Sequence, residues 1–549
     1  MNTQKNIPTD IDYKTQRLDH LGIVAGISQE IDLVAQIDQA IGDTDRKVSV
    51  GEAALAMVLN ALGFTGRALY LMPEYMSKKP IDLLIRPGLA AEDFNDDSLG
   101  RALDLLFEKG TTEVFAKVAS HAMDCYGIKH RFVHLDSSSL SVHGEYKVED
   151  NDPEVIEITY GYSKDHRPDL KQALVSLITS HRSEIPLWLE ALSGNTSDTK
   201  SFPETIYAYL EQLGNKDQPY FVIDSKFYTA ENVKTLFQGK WISRVPATIK
   251  KCQQLIAETN KVDMQPAKAD GYFFKEYPVT YGEVPQRWLV VFSEASYQQG
   301  IKSLNKKIEK KANKAEKVWK QLCNQSFSCQ ADARKAVEQL AEQLHYHQVE
   351  MAIEPKYGYS RPGRPPKGAQ PEVLGYQVNG KITKDVTAIE VAKQRKGKFV
   401  IATNELDQEA LPAEEILSEY KAQGVSVERG FRFLKDPMFF ADSLFLKNPA
   451  RIMALIMIMG LALLIYALAE CKLREVMQQH QETIPNQVGK PTDTPTLRRI
   501  FQMFEGIDVL LICSDAQVLD RQVLNLQPVH LKILFLLGNY VKKCYLLEN

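Results

Sequence analysis

The sequence has few cysteines and no feature typical of a secreted protein. Its seven cysteines are odd in number and never form a Cys-x-x-Cys pair. This argues for reduced thiols in a cytosol, and against a zinc site or a disulfide framework. The first 17 residues are polar and lack the apolar segment of a secretory signal. We therefore expect a cytoplasmic protein.

The chain also lacks an excess of charge of either sign. Its 66 Lys and Arg residues stand against 70 Asp and Glu residues, a formal charge of −4. The chain as a whole therefore does not attract nucleic acid or anionic lipid, and a polyanion would have to bind at a local basic patch. Only 25 Pro and 30 Gly in 549 residues, with 44% hydrophobic residues, indicate an ordinary globular protein. Since single cores stop growing near about 250 to 300 residues, we predict two to four domains.

Long hydrophobic runs are rare, and one is long enough to matter. Residues Ile452 to Ala469 are eighteen apolar residues in a row apart from one tyrosine hydroxyl. That length makes a membrane span a candidate, although a span normally needs about 20 such residues. A helix that is buried all round inside a large protein has the same composition. We favour the buried helix and keep a membrane-anchored protein as an alternative.

The pattern of hydrophobic residues divides the chain into successive regions. The first is helical, and one of its helices has Ser49 as N-cap with Glu52 as capping-box partner. Short β-rich runs then alternate with helical runs, which predicts a mixed sheet covered by helices. A basic, Pro/Gly-containing segment interrupts this pattern and is interpreted as an insertion. The predicted regions are helical 1–125, sheet-forming 126–250, inserted 251–384, sheet-forming again 385–475, and C-terminal 476–549.

Two aspartates stand where apolar strands are predicted. Asp136 lies within the run FVHLDSSSL, and Asp224 ends the run YFVI. Buried carboxylates are costly unless they are paired or bind a cation. On neighbouring strands the two could share Mg²⁺, which prefers oxygen ligands. Taken singly, each is more often a turn or cap residue.

The third candidate is Glu428, in SEYKAQGVSVERGFRFLKDP. On a helix, Glu428, Arg432 and Lys435 share one face, with a carboxylate for a metal and two cations for phosphate. Tyr420 lies two turns earlier. By itself, the pattern is also that of an ordinary solvated helix face with a Glu to Arg pair.

Together these residues resemble the RNase H-like DDE transposases of bacterial insertion sequences. The second Asp follows the first by 88 residues, and the Glu follows after 204 more, beyond a long insertion. The branch with such an insertion has a signature of Tyr, Arg three positions later, Glu four later and Lys seven later. Glu428 and Lys435 match it, whereas Tyr420 is one residue too far from Glu428 and Gln423 replaces the Arg. Stretches such as GYSKDHRPDLKQ, SGNTSDTKSF and FVIATN are similar to the subgroup of insertion sequences numbered sixteen thirty-four.

The resemblance implies an α/β fold with an RNase H-like mixed sheet flanked by helices. An inserted β/α domain interrupts it, and a helical N-terminal domain that binds DNA ends precedes it. Asp136, Asp224 and Glu428 would hold two Mg²⁺ ions, with Mn²⁺ as a possible substitute, for cleavage at terminal inverted repeats and transfer of the 3′-hydroxyl to target DNA. The apolar helix after the Glu would pack in the core. The partners would be DNA and a second copy in a homodimeric synaptic complex. The DNA-binding residues would be Tyr420, Gln423, Arg429, Arg432, Lys435, Arg361 and Arg364.

Two basic features lie in the predicted insertion. The run Lys302 to Lys320 has eight Lys and two Glu, a local charge of 8 − 2 = +6, which suits phosphate binding or an ordinary solvated helix. The stretch from Arg361 to Lys367, which contains Arg364, is similar to the core of minor-groove AT-hooks. Its composition favours a linker. A DNA-binding protein of the same fold with decayed catalysis is the alternative function, because the spacing from Tyr420 to Glu428 departs from the signature.

Overall fold

The computed structural model describes residues 11–64, 67–128, 130–144, 146, 154–181, 184–214, 217–236, 239–359, 363, 368, 370–436, 447–514 and 517–547, with the backbone alone for 424–427. These residues fall into two compact units. The first unit comprises residues up to 243 together with 282–284 and 417–549, and the second comprises 244–281 and 285–416.

The strands are β1 Ile11–Arg17, β2 Phe132–Val142, β3 Lys171–Ser180, β4 Pro186–Leu192, β5 Tyr220–Ile223, β6 Lys240–Arg244, β7 Gln265–Pro266, β8 Tyr272–Tyr281, β9 Val284–Ser293, β10 His347–Gly358, β11 Glu372–Lys384, β12 Lys398–Thr403, β13 Ile484–Pro485, β14 Pro491–Thr492, β15 Asp508–Ser514 and β16 Gln517–Leu524. The helices are α1 Leu21–Glu30, α2 Leu33–Ile41, α3 Val50–Leu62, α4 Met72–Met76, α5 Ile81–Leu84, α6 Asp96–Lys109, α7 Thr111–Tyr126, α8 Asp198–Leu213, α9 Ala230–Thr235, α10 Lys250–Glu258, α11 Glu294–Asn324, α12 Gln330–Glu342, α13 Val386–Gln394, α14 Ala413–Leu434, α15 Pro449–Gln479, α16 Leu497–Met503, α17 Pro528–Leu537 and α18 Asn539–Cys544.

A mixed sheet forms the centre of the first unit, in the order β4-β3-β2-β5-β6. The β2–β3 and β3–β4 pairs are antiparallel, whereas β5 is parallel to both β2 and β6. Helices α8 and α9 supply the crossovers that parallel neighbours require. Three antiparallel strands followed by two parallel ones constitute the RNase H-like arrangement, so the predicted fold class is confirmed.

The long apolar run is the centre of helix α15. It packs against helices α3, α6 and α7 and against strand β4. Although this helix is long and apolar enough to cross a membrane, 83% of its most apolar stretch is buried inside the first unit. The neighbouring helices and strand of the same unit therefore supply the apolar surroundings that the composition of α15 requires. This supports the interpretation of the run as a buried helix.

The N-terminal and C-terminal regions of the chain meet in the first unit. Strand β1 pairs antiparallel with β15, and α1 packs against α18. The Tyr545 hydroxyl donates a hydrogen bond of 2.6 Å to the carbonyl of Asp19. At Gly26, an added Cβ would lie 2.5 Å from the Cα of Val541, so only glycine permits this approach. The helices predicted as a domain over 1–125 thus share one compact unit with the C-terminal region.

The second unit contains most of the predicted insertion and also strand β12. Its strands β12, β9, β8 and β7 are neighbours in that order, and β10 and β11 form a separate two-stranded sheet. Trp319 of α11 packs with Val337 of α12 and Val378 of β11. The basic run from Lys302 to Lys320 lies within α11, whose buried residues are apolar. Arg361 and Arg364 lie outside the described residues.

Candidate active site

Asp136 lies on β2, and Asp224 directly follows β5, the parallel strand next to β2. Leu135 of β2 is paired with Ile223 of β5, so the residues that follow them stand side by side. Neighbouring strands are about 4.8 Å apart. The Asp224 carboxylate accepts a hydrogen bond of 2.9 Å from the Lys226 N–H, and Asp136 Oδ1 accepts one of 2.7 Å from the Ser137 N–H. The backbone thus holds both carboxylates at one point of the sheet.

The surroundings of Asp136 favour a cation. Burial raises the pKa of Asp136; Lys164, whose Nζ lies 3.6 Å from Oδ1, opposes that rise, and the charges of Asp224 and Asp198 add to it. The ionised carboxylate is therefore under-compensated in this site. Oxygen donors of this kind are the ligands that hard divalent cations prefer. The donor set at Asp136 and Asp224 fits such an ion.

A third aspartate, Asp198, was not singled out by the sequence analysis. It begins α8, is 8% exposed, and accepts hydrogen bonds from the Ser137 hydroxyl and from Lys226 Nζ at 2.7 Å. Lys164 Nζ lies 3.2 Å from the same carboxylate. Burial alone would raise the pKa of Asp198, but Lys164 and Lys226 outweigh it and hold that pKa below its usual value. The local signal was weak, since an Asp at the start of a helix is commonplace.

A cleft of about 330 Å³ opens at Asp198. The Lys226 ammonium lies 5.5 Å from the centre of the Tyr162 ring, within the range of a cation–π contact. Two ammonium groups and an aromatic face suit a phosphate-bearing chain better than an apolar ligand. The residues that line the cleft are Tyr162, Lys164, Leu174, Asn195, Thr196, Ser197, Asp198, Thr199 and Lys226.

Helix α14 contacts β5 and β3, the strands on either side of β2. Gln423 Nε2 lies 3.5 Å from the carbonyl oxygen of Val222, two residues before Asp224. At Gly430, an added Cβ would lie 2.9 Å from the side chain of Leu177, the residue directly across from Asp136 on β3. Glu428 lies between these two contacts, and its side chain is exposed. Its role as the third metal ligand stays a prediction.

The other residues predicted to bind DNA are placed differently from one another. Lys435 binds Asp165 with Nζ to oxygen distances of 2.7 and 2.9 Å, and Arg432 is exposed. Tyr420 and Gln423 are half-buried in α14.

Arg429 lies in a network of charges within the first unit. It forms ion pairs with Glu184, at 2.8 Å, and with the buried Glu470. Its guanidinium therefore links α14 to α15, and contact of Arg429 with DNA stays a prediction.

Comparison with known proteins agrees with this geometry. A model described as "Transposase DDE domain" matches residues 127–465, and one described as "Domain of unknown function (DUF4277)" matches residues 13–120. The first match covers more than half of the chain, and the protein therefore belongs to the DDE transposase family. It is thus a DNA transposase, of a family that implies use of a divalent metal.

The sequence and structure were also compared with solved structures and with curated proteins. A structure described as "Cryo-EM structure of piggyBac transposase synaptic complex with hairpin DNA (SNHP)" is 8% identical, with a TM-score of 0.35 over 90% of this chain and 82% of that chain. At that TM-score the likeness adds nothing to the assignment. No curated protein matches the sequence.

Proposed function

We propose that the protein is the transposase of an insertion sequence, which cleaves DNA at the terminal inverted repeats of its element and joins the freed 3′-hydroxyl to target DNA. The observation that carries this proposal is the pairing of Asp136 with Asp224 beside a cleft that contains Lys164 and Lys226. Acidic groups for cations and basic groups for phosphates are the two components that such a reaction needs.

Asp136, Asp224 and Glu428 would hold two Mg²⁺ ions, for which Mn²⁺ could substitute. Asp136 supports this assignment, because burial and the adjacent carboxylates leave its ionised form in need of a cation. When bound, the ions would activate water or a 3′-hydroxyl and stabilise the leaving oxygen of an in-line displacement. The chain itself would position the phosphodiester and hold the carboxylates of Asp136 and Asp224 side by side.

The scissile strand would be held by cations on both sides of the acidic residues. Lys164 and Lys226 now neutralise Asp198 and would turn to phosphate oxygens once DNA enters the cleft. Arg432 and Lys435, with Tyr420, Gln423 and Arg429, would contact the strand from α14.

The helical N-terminal region would bind the element ends, with Arg361 and Arg364 as further contacts, in a homodimeric synaptic complex. The protein would be cytoplasmic, and associated with the nucleoid when bound to DNA.

Cleavage of labelled end DNA by the purified protein tests the proposal. With Mg²⁺ or Mn²⁺ the wild type should nick the DNA at the element end and join it to target DNA. Asp136→Asn and Asp224→Asn should each lower the rate at least about 100-fold, because loss of even a supporting partner at a metal site costs 10- to 100-fold. The matched control is Asp169→Asn, since Asp169 is an exposed carboxylate paired with Arg167. Full activity in the Asp136 variant would refute the site.

The departure from the signature supports one alternative, a DNA-binding protein of the same fold without catalysis. Gln423 stands where Arg is expected, and Tyr420 is one residue too far from Glu428. The same preparation distinguishes the two functions. A protein with decayed catalysis would shift end DNA in a gel yet leave it uncut with either metal. An active transposase would both shift the DNA and cut it.

A further inference from the structure

Two histidines and a glutamate converge in the first unit, apart from the aspartates described above. His134 lies on β2, His181 follows the end of β3, and Glu419 lies on α14. His134 Nε2 is 3.3 Å from His181 Nδ1, and that nitrogen is 2.8 Å from Glu419 Oε2. One potential ligand atom from each residue lies within 4.8 Å of the other two. His134 is fully buried, Glu419 is 3% exposed, and the His181 side chain is 17% exposed.

Hydrogen bonding among the three residues leaves polar atoms unsatisfied. His181 Nδ1 can carry a single proton, yet both His134 Nε2 and Glu419 Oε2 approach it. An ion pair between His181 and Glu419 would leave His134 with its lone pair directed at the same nitrogen. Within the described part of the chain, Glu419 Oε2 has no hydrogen bond of acceptable geometry despite its closeness to His181. Buried carboxylate oxygens without compensation are costly, so the arrangement calls for a cation.

We propose that His134, His181 and Glu419 bind a transition-metal ion of the Zn²⁺ type, at a site separate from the carboxylate ligands of Asp136 and Asp224. Two imidazoles and one carboxylate form a known zinc ligand set that leaves a fourth position for water. Tetrahedral coordination at about 2.0 to 2.1 Å places ligand atoms about 3.3 Å apart. The two separations at His181 Nδ1 are 3.3 and 2.8 Å, and all three ligand atoms lie within 4.8 Å of one another. Imidazole ligands suit Zn²⁺, Cu²⁺ or Ni²⁺, whereas Mg²⁺ prefers oxygen. Water would reach the fourth position from the side of His181, whose side chain is 17% exposed.

The absence of a Cys-x-x-Cys pair among the seven cysteines argues only against a zinc site with thiolate ligands. It does not bear on this site, which contains no cysteine. Its three ligands come from β2, from the residue that follows β3, and from α14, the helix that also carries Glu428. A metal bound there would fasten α14 to β2 close to Asp136. The proposal concerns metal binding alone and holds whether or not the protein cuts DNA.

Cobalt substitution tests the site. The full-length protein, stripped with a chelator, should take up a single Co²⁺ with the intense visible absorption of four-coordinate cobalt, and Zn²⁺ but not excess Mg²⁺ should displace it. His134→Gln and Glu419→Gln should each weaken this binding at least about 100-fold. Asp136→Asn should retain it, as should His121→Gln, whose half-buried ring lies 3.5 Å from Cys125 Sγ. Retention of the absorption in the His134 variant, or its absence from the wild type, would overturn the proposal.

A measurement on the wild type alone guards against variants that fail to fold. X-ray absorption at the zinc edge of the reconstituted protein should show two imidazole nitrogens and oxygen ligands. A shell that contains sulfur would assign the metal to an exposed thiol such as Cys125. A shell of oxygen alone would assign it to the aspartates, and either result would refute the site.

Discussion

His20 makes the stability of the first unit depend on pH. It precedes α1, its Nε2 lies 2.7 Å from the carbonyl oxygen of Leu62, and its ring stacks on Phe501 with 4.2 Å between ring centres. Burial lowers the pKa of His20 from its ordinary 6.5 to about 4. As the pH falls below 6.5, His20 becomes protonated in the unfolded chain but stays neutral in the folded chain. Stability is therefore present above about pH 6.5 and is lost on acidification towards pH 4.

The expected loss follows from the two pKa values. At pH 5 the unfolded histidine lies 1.5 pH units below its pKa of 6.5, while the folded histidine is still mostly neutral. At 1.36 kcal/mol per unit, the free energy of unfolding should fall by about 2 kcal/mol between pH 7 and pH 5 because of His20 alone. Other groups titrate over the same range, so a comparison with a variant is needed.

Urea unfolding of the wild type and of His20→Gln, each at pH 7 and pH 5, isolates this contribution. The variant starts less stable at pH 7, because glutamine loses the stacking on Phe501. Its further loss on acidification should be about 2 kcal/mol smaller than that of the wild type, since the remaining groups titrate alike in both proteins. Equal losses in the two proteins would show that His20 is not buried as a neutral ring and would refute the reasoning.

Other perturbations have directions that the structure decides. Gly26→Ala should gain about 1 kcal/mol of helix propensity but lose up to about 3 kcal/mol through the clash with the Val541 backbone, a net loss of up to about 2 kcal/mol in urea unfolding; a variant as stable as the wild type would contradict the packing. Glu470→Ala should cost about 3 kcal/mol, because it leaves the partly buried Arg429 with one carboxylate fewer, and an unchanged melting temperature would disprove that role. Millimolar Mg²⁺ should raise the melting temperature of the wild type but not of Asp136→Asn, and equal shifts would place the ion elsewhere.

Features encoded by neighbouring residues were predictable from the sequence. Ser49 and Glu52 form the expected capping box, since partners three residues apart meet whenever the helix forms. The run from Ile452 to Ala469 is buried as expected, because its composition permits few other surroundings. Asp136 and Asp224 could be proposed as site residues because each interrupts or ends an apolar strand. Their adjacency is a property of the sheet and needed the structure.

Features that depend on distant contacts were not predictable from the sequence. Glu419 meets His181 only because α14 packs across the sheet, and the two residues are 238 positions apart. Asp198 gains its significance from Lys164 and Lys226, which arrive from separate segments. Nothing in the local pattern of these residues distinguishes them from ordinary caps and surface charges. A single sequence records periodicity along the chain, whereas these sites arise from packing between elements.

The pairing of β1 with β15 has a consequence for how the protein is made. A ribosome releases the first helices long before it has translated residues 508–514, and α1 must wait still longer for α18. Such late closure makes folding slow and leaves the early segments exposed. A polypeptide cut short by a premature stop or a frameshift cannot complete this junction. A chain that ends before Asp508 therefore lacks both the strand that pairs with β1 and the helix that packs against α1.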